Sequence, residues 1–129
     1  MIVDSSAIIA IALKEPEAEL FATAIIDAPV RYMSSVNWLE SIVIEARSGV
    51  GASDSLQLIL KQMVVEMLPM DSVHAQEAHE AWRRYGKGRH PTQLSLGDCC
   101  AYAASKVEGL PLLFKGGDFD KTDVQRAQW

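Results

Sequence analysis

MIVDSSAIIAIAL, residues 1–13, decides the fold. Met1-Ile2-Val3 is a short apolar run, and residues 1–4 read as a buried strand that stops on Asp4. Ser5 or Ser6 can cap the Ala/Ile-rich segment that follows to Leu13. An apolar strand running straight into a helix, with a carboxylate at the junction, is the opening of a βα unit.

The pattern repeats along the chain. Glu15–Asp27 reads as a helix: Pro16 suits its first turn, and Ala18, Phe21, Ala22, Ile25 and Ile26 form one face. After Pro29, Val30–Met33 is a second strand. Ser34 or Ser35 then caps a helix to about Ser48, stopped by Gly49, with Val36, Leu39, Val43 and Ala46 at helical spacing. Ala52–Met63 is the next helix and Val64–Leu68 a third strand, closed by Pro69. Asp71 opens a helix through Tyr85. Gly86–Thr92 is a loop. Ser95 caps a helix to about Val107, and Leu112–Phe114 is a fourth strand before Gly116-Gly117. The tail from Asp120 is short, with room for a last edge strand. Strands alternating with helices predict an α/β fold with a mostly parallel sheet.

The 129 residues carry no repeat or linker and predict one domain over 1–129. Hydrophobic residues at 49% exclude disorder, and no apolar run is long enough to span a bilayer. The N-terminus lacks a signal-peptide layout. Cys99 and Cys100 are adjacent, which suits small core residues in a reducing, cytoplasmic setting better than a disulfide framework or a zinc site. A net charge of −5 argues against non-specific nucleic-acid binding. A divalent cation would offset part of that charge.

Four acids sit at element junctions or core boundaries: Asp4 after the first strand, Glu40 in the third helix, Asp98 in the first turn of the last helix and Asp118 after the fourth strand. In a parallel sheet such strand ends converge on one crevice. Carboxylates gathered there repel one another unless a proton or cation lies between them. Oxygen-only donors suit magnesium, which keeps several waters, and two ions can activate a water in phosphodiester cleavage. Each acid also has a plainer reading. Asp4 suits an N-cap, Glu40 a boundary residue reaching water, Asp98 a capping box with Ser95, and Asp118 a turn acid that Asp120 or Asp123 can replace.

The segments "MIVDSSAIIAI", "YMSSVNWLESIVIEAR" and "YGKGRHPTQLSLGDCCAYAASKVEGLPLLFKGGDFDKTDV" together resemble PIN-domain ribonucleases, and more narrowly VapC-type toxins of toxin–antitoxin pairs. The resemblance covers essentially the whole chain. It implies a three-layer α/β/α sandwich and a magnesium-dependent endoribonuclease (manganese substituting), with Asp4, Glu40, Asp98 and Asp118 as catalytic and metal-binding acids and Ser6 beside the first. It also implies a homodimer and a cognate VapB-like antitoxin, a DNA-binding protein that inserts a segment into the toxin groove. Transfer RNA and ribosomal RNA are the candidate substrates that the resemblance implies. Where the family often has Ser or Thr near the last acid, this chain has Lys115 and Gly116.

The cations of Arg83–His90, above all Lys87 and Arg89, are the expected RNA-backbone contacts, with Tyr85 or His90 able to stack on a base. The plainer reading is a solubilising loop. Lys115 is placed to meet a scissile phosphate, or else to pair with Asp118 or Asp120. Trp38, Trp82 and Trp129 read as core or interface residues. His74 and His79 lie five apart and share no helix face. Three other functions compete. A haloacid-type phosphohydrolase needs an Asp where Ser6 stands. A phospho-accepting receiver needs an Asp ending the third strand, where Leu68-Pro69 stands. A non-catalytic PIN-like RNA-binding module would be favoured by a missing acid, and all four are present.

Overall fold

The computed structural model describes residues 1–49 and 54–129. The order is β1 Ile2–Val3, α1 Ser5–Ala12, α2 Ala18–Asp27, β2 Tyr32–Ser34, α3 Ser35–Ser48, α4 Asp54–Gln62, β3 Glu66–Leu68, α5 Ser72–Tyr85, α6 Leu96–Glu108 and β4 Leu112–Leu113. The junctions follow local chemistry. Ser34 caps α3 by accepting from the Val36 amide, and Asp71 caps α5 by accepting from Val73 and His74. Gly49 and Gly109 close α3 and α6 at φ 67° and 65°, a backbone region that favours glycine.

The four strands form one parallel sheet in the order β3-β2-β1-β4. Alternation along each strand divides the core. Ile2, Leu112 and Phe114 pack with α5 and α6 against one face, while Val3, Leu113 and Met33 pack with α1, α2 and α4 against the other. This gives three layers, helices on both sides of a parallel sheet. The chain winds outward from β1 through β2 to β3, then returns across the sheet to lay β4 on the far side of β1. The strand order therefore switches between β1 and β4, where α/β sheets open a crevice beyond their carboxyl ends.

Several boundaries differ from the sequence reading. α2 starts at Ala18, not Glu15, because the turn that follows α1 puts Lys14 at φ 54° and the residue before a proline is disfavoured in helical geometry. β2 is shifted one to two residues later than Val30–Met33, and β3 is shorter because Val64 turns at φ 53°. The expected start of the fourth helix at Ala52 lies outside the described residues. The tail contributes a single parallel bridge, Leu112 to Arg126, in place of an edge strand. Among the described residues no helix is long and apolar enough to cross a membrane. Cys99 and Cys100 are buried free thiols, each pushed up to about 11 chiefly by burial.

α3 departs furthest. Its buried positions are Asn37, Ser41 and Glu45, one turn apart and all polar. Leu39 and Val43, expected on the core stripe, are exposed. The inversion is tolerated because each buried polar residue makes at least one hydrogen bond: Asn37 bonds Asp4 and Gly97, Ser41 the Asn37 carbonyl, and Glu45 the Leu56 amide.

Candidate metal centre

Asp4 lies at the switch point. Its backbone amide donates to the Leu113 carbonyl at 2.9 Å, so it continues the β1–β4 ladder for one more bond. Its side chain then caps α1: Oδ2 accepts from the Ser6 amide at 2.9 Å and from Ser6 Oγ at 2.5 Å. Oδ1 accepts from Asn37 Nδ2 at 3.2 Å. Asp4 thus fulfils its capping role and is 2% exposed. Burial pushes its carboxyl up to about 6 against the pull of the Ser6 hydrogen bonds, and the negative charges of Asp98 and Glu40 push the same way.

Glu40 projects from α3 into the same crevice. Ser5 Oγ donates to its Oε2 at 2.7 Å, and its carboxylate occupies the space beside Gly97. A Cβ on Gly97 would lie 2.4 Å from Oε2 and 2.6 Å from Oε1. Asp98, the next residue, completes a capping box: Ser95 Oγ accepts from the Asp98 amide, and Asp98 Oδ2 accepts from the Ser95 amide at 2.7 Å. The capping role and a place in the crevice coexist. Asp118 is exposed, past the end of β4, and its carboxyl is pushed up by partial burial and by the charges of Asp98 and Asp120. The four acids therefore form one electrostatically linked chain, from Glu40 and Asp4 through Asp98 to Asp118. Asp120 and Asp123, the sequence alternatives to Asp118, hold other partners. Asp120 pairs with Arg126 at 3.1 Å, and Asp123 accepts from Tyr102 and Lys106.

The donor set is all oxygen, which fits a hard divalent cation. Two further observations agree. The Glu40 carboxylate nests in a gap only a glycine leaves open, and buried Asn37 Oδ1, on the same amide whose nitrogen bonds Asp4, has no hydrogen-bond partner among the described residues. Among the described residues no three acids, cysteines or histidines converge closely enough to hold an ion by themselves. A cation here would keep several waters, as magnesium does.

The other sequence candidates fall in different places. Ser6 Oγ accepts from the Lys115 amide at 3.0 Å while donating to Asp4, so it ties the end of β4 to the first acid. Lys115 Nζ turns away from Asp118 and Asp120 onto Glu15 at 2.7 Å and Glu17 at 2.9 Å. Lys87 is exposed, and the Arg89 guanidinium lies 4.2 Å from the Trp82 ring centroid. Tyr85 is buried against Tyr102 and bonds Asp123, so the stacking role suggested for it does not fit. Sequence reading missed Ser5, Asn37 and Gly97. The one available signal was Gly97 itself, a poor helix former placed in a first turn directly before Asp98.

A family model described as "PIN domain" matches residues 1–125. A ribonuclease VapC of Mycolicibacterium smegmatis is 49% identical over 125 residues, covering 96% of this chain and 97% of that one. Ribonuclease VapC30 of Mycobacterium tuberculosis is 42% identical over 125 residues, covering 96% and 95%. Among solved structures, M. tuberculosis VapC20, a sarcin–ricin loop cleaving toxin, superposes with a TM-score of 0.78 at 18% identity over 99% of this chain and 98% of its own. A toxin–antitoxin complex from Klebsiella pneumoniae gives 0.71 at 17% identity over 95% and 92%.

Proposed function

From the premise that this chain belongs to the PIN-domain family, we propose that it is a VapC-type toxin, a magnesium-dependent endoribonuclease. One observation carries the reading: Asp4 is buried at the switch point, and the charges that act on its carboxyl are those of two more acids, Asp98 and Glu40. A site assembled from mutually repelling carboxylates is matched to a cation.

In this reading Asp4, Glu40, Asp98 and Asp118 are the catalytic and metal-binding acids. They would hold a divalent ion, magnesium or manganese, which would supply activation of a water and charge stabilisation for the leaving oxygen. Asp4 is held rigid by Ser6 and Asn37, and Glu40 by Ser5. Asp98 is fixed by its cap, so its carboxylate is aimed by the first turn of α6. Exposed Asp118 acts at the mouth, through water. Cleavage leaves a 5′-phosphate on one product. Ser6 acts by orienting Asp4 and the β4 end; Lys87, Arg89 and, once released from its acids, Lys115 meet the RNA backbone.

The remaining features belong to the same proposal. Residues 1–129 form a single PIN domain that works in the cytoplasm on transfer or ribosomal RNA. Its partners are a second copy of the chain and a VapB-like, DNA-binding antitoxin. The exposed pair Leu39 and Val43, one turn apart on α3, supplies apolar surface for a protein partner.

The test is cleavage of total cellular RNA by the purified chain with magnesium, with EDTA, and as Asp98→Asn. Asparagine still accepts from the Ser95 amide, so the cap and fold survive while the charge is lost. Discrete fragments only in the wild type with magnesium are expected. Cleavage by Asp98→Asn at the wild-type rate would remove the metal-site reading.

A further inference from the structure

Asn37 is completely buried in the first turn of α3. Its Nδ2 reaches Asp4 Oδ1 at 3.2 Å and the Gly97 carbonyl at 3.1 Å. Both neighbours are acceptors, so chemistry assigns the NH2 to this position, with both hydrogens used. One side chain therefore bridges the end of β1 to the first turn of α6, across sequence separations of 33 and 60 residues. Those are the elements that carry Asp4 and, one residue after Gly97, Asp98. Asn37 Oδ1 is left buried with no donor among the described residues, which is unusual enough to need a reason.

We infer that Asn37 is a positioning residue for the metal centre: it clamps Asp4 and the Gly97-Asp98 turn at a fixed separation and offers Oδ1 as an acceptor for a hydration water of the cation. This rests on the metal-site reading above. The clamp has a direction. An amide donor on Asp4 Oδ1 orients the charged carboxylate, and removing it lets Asp4 and Asp98 move apart under their mutual repulsion. Groups that hold metal ligands in this way typically account for 10–100-fold in metal affinity.

The test uses manganese binding to the full, RNA-free chain, followed by calorimetry and by electron paramagnetic resonance of free manganese. Asn37→Leu keeps volume without donor or acceptor, and Asn37→Ala removes both. Ser41→Ala, one turn along the same buried stripe, is the control, since Ser41 bonds only the Asn37 carbonyl. Both Asn37 variants should bind manganese about tenfold or more weakly than wild type. Their half-saturating metal concentration for RNA cleavage should rise by the same factor, with KM for RNA at saturating metal unchanged. Ser41→Ala should bind as wild type. Wild-type manganese affinity in either folded Asn37 variant would overturn the assignment. Loss of folding in both would mark Asn37 as a structural strut and overturn it too. If the wild type itself binds no manganese, the metal-site reading fails instead.

Discussion

At the scale of single residues, Asp4 couples stability to pH. Its carboxyl sits at about 6 when folded against an ordinary value of 3.8, mainly through burial. Between those values the native state binds more protons than the unfolded one, so stability falls as pH rises from about 4 through about 6 and is level above. The full effect is ~3 kcal/mol at pH 7. In Asp4→Asn, part is offset because the new amide nitrogen takes the place of Oδ1 and leaves Asn37 Nδ2 without that acceptor, a loss of about 1 kcal/mol. The metal-free variant should therefore be about 2 kcal/mol more stable at pH 7 by urea denaturation, with a flatter pH profile. Magnesium should stabilise the wild type and leave Asp4→Asn unmoved; an Asp4→Asn variant less stable than wild type at pH 7 would contradict this account. Gly97 gives a second residue-scale test. In Gly97→Ala the methyl meets the Glu40 carboxylate, the movable end of a side chain, so Glu40 swings out and the fold holds. Helix propensity even favours alanine by up to about 1 kcal/mol. Cleavage should drop at least tenfold with thermal stability equal or higher; unchanged cleavage would show that Glu40 does not need its place beside Gly97.

At the scale of elements, α3 is where the sequence was least readable. Its apolar residues at helical spacing predicted a core stripe through Leu39 and Val43, but burial follows Asn37, Ser41 and Glu45. Nothing local marks those three as buried, because the groups that satisfy Asn37 and Glu45 lie elsewhere in the chain, on Asp4, Gly97 and Leu56. By contrast, capping signals are local, so the starts of α1, α3, α5 and α6 and the carboxylates at their junctions were legible. Asp4 and Asp98 stand at such caps, whereas Ser5, Asn37 and Gly97 act through distant contacts. Glu45 separates structure from chemistry on this helix. It lies five residues beyond Glu40, turned about 140° around the axis, and its Oε1 accepts from Ser55 Oγ and the Leu56 amide at the start of α4. Glu45→Ala should cost about 1–3 kcal/mol by leaving those donors without an acceptor. Glu45→Gln, which keeps an acceptor, should cost less, and neither should alter metal affinity. Weakened manganese binding in Glu45→Gln would mean that the two ends of α3 are not independent.

At the scale of the whole molecule, an acidic chain with net charge −5 has to receive a polyanion. Its cations are not equivalent in that task. Arg83 pairs with Glu80 at 3.0 Å, Arg84 with Asp123 at 3.7 Å, and Lys115 with Glu15 and Glu17, so much of their charge is already answered within the chain. Arg89 instead lies over the Trp82 ring, which orients the guanidinium without neutralising it, and Lys87 stands exposed beside it. Both belong to the loop that leads from α5 into the capped start of α6, where Asp98 sits. RNA entering the crevice along this loop would meet positive charge first and carboxylates last. Each phosphate contact to a single strand contributes about −0.7 to the slope of log affinity against log salt. Lys87→Ala with Arg89→Ala should weaken binding of a catalytically inactive Asp98→Asn protein to RNA and flatten that slope by up to about 1.4. Arg83→Ala, whose charge Glu80 already answers, should change it far less. An unaltered slope in the double variant would place the RNA path on another edge of the crevice, with Lys115 released from Glu15 and Glu17 as the next cation to test.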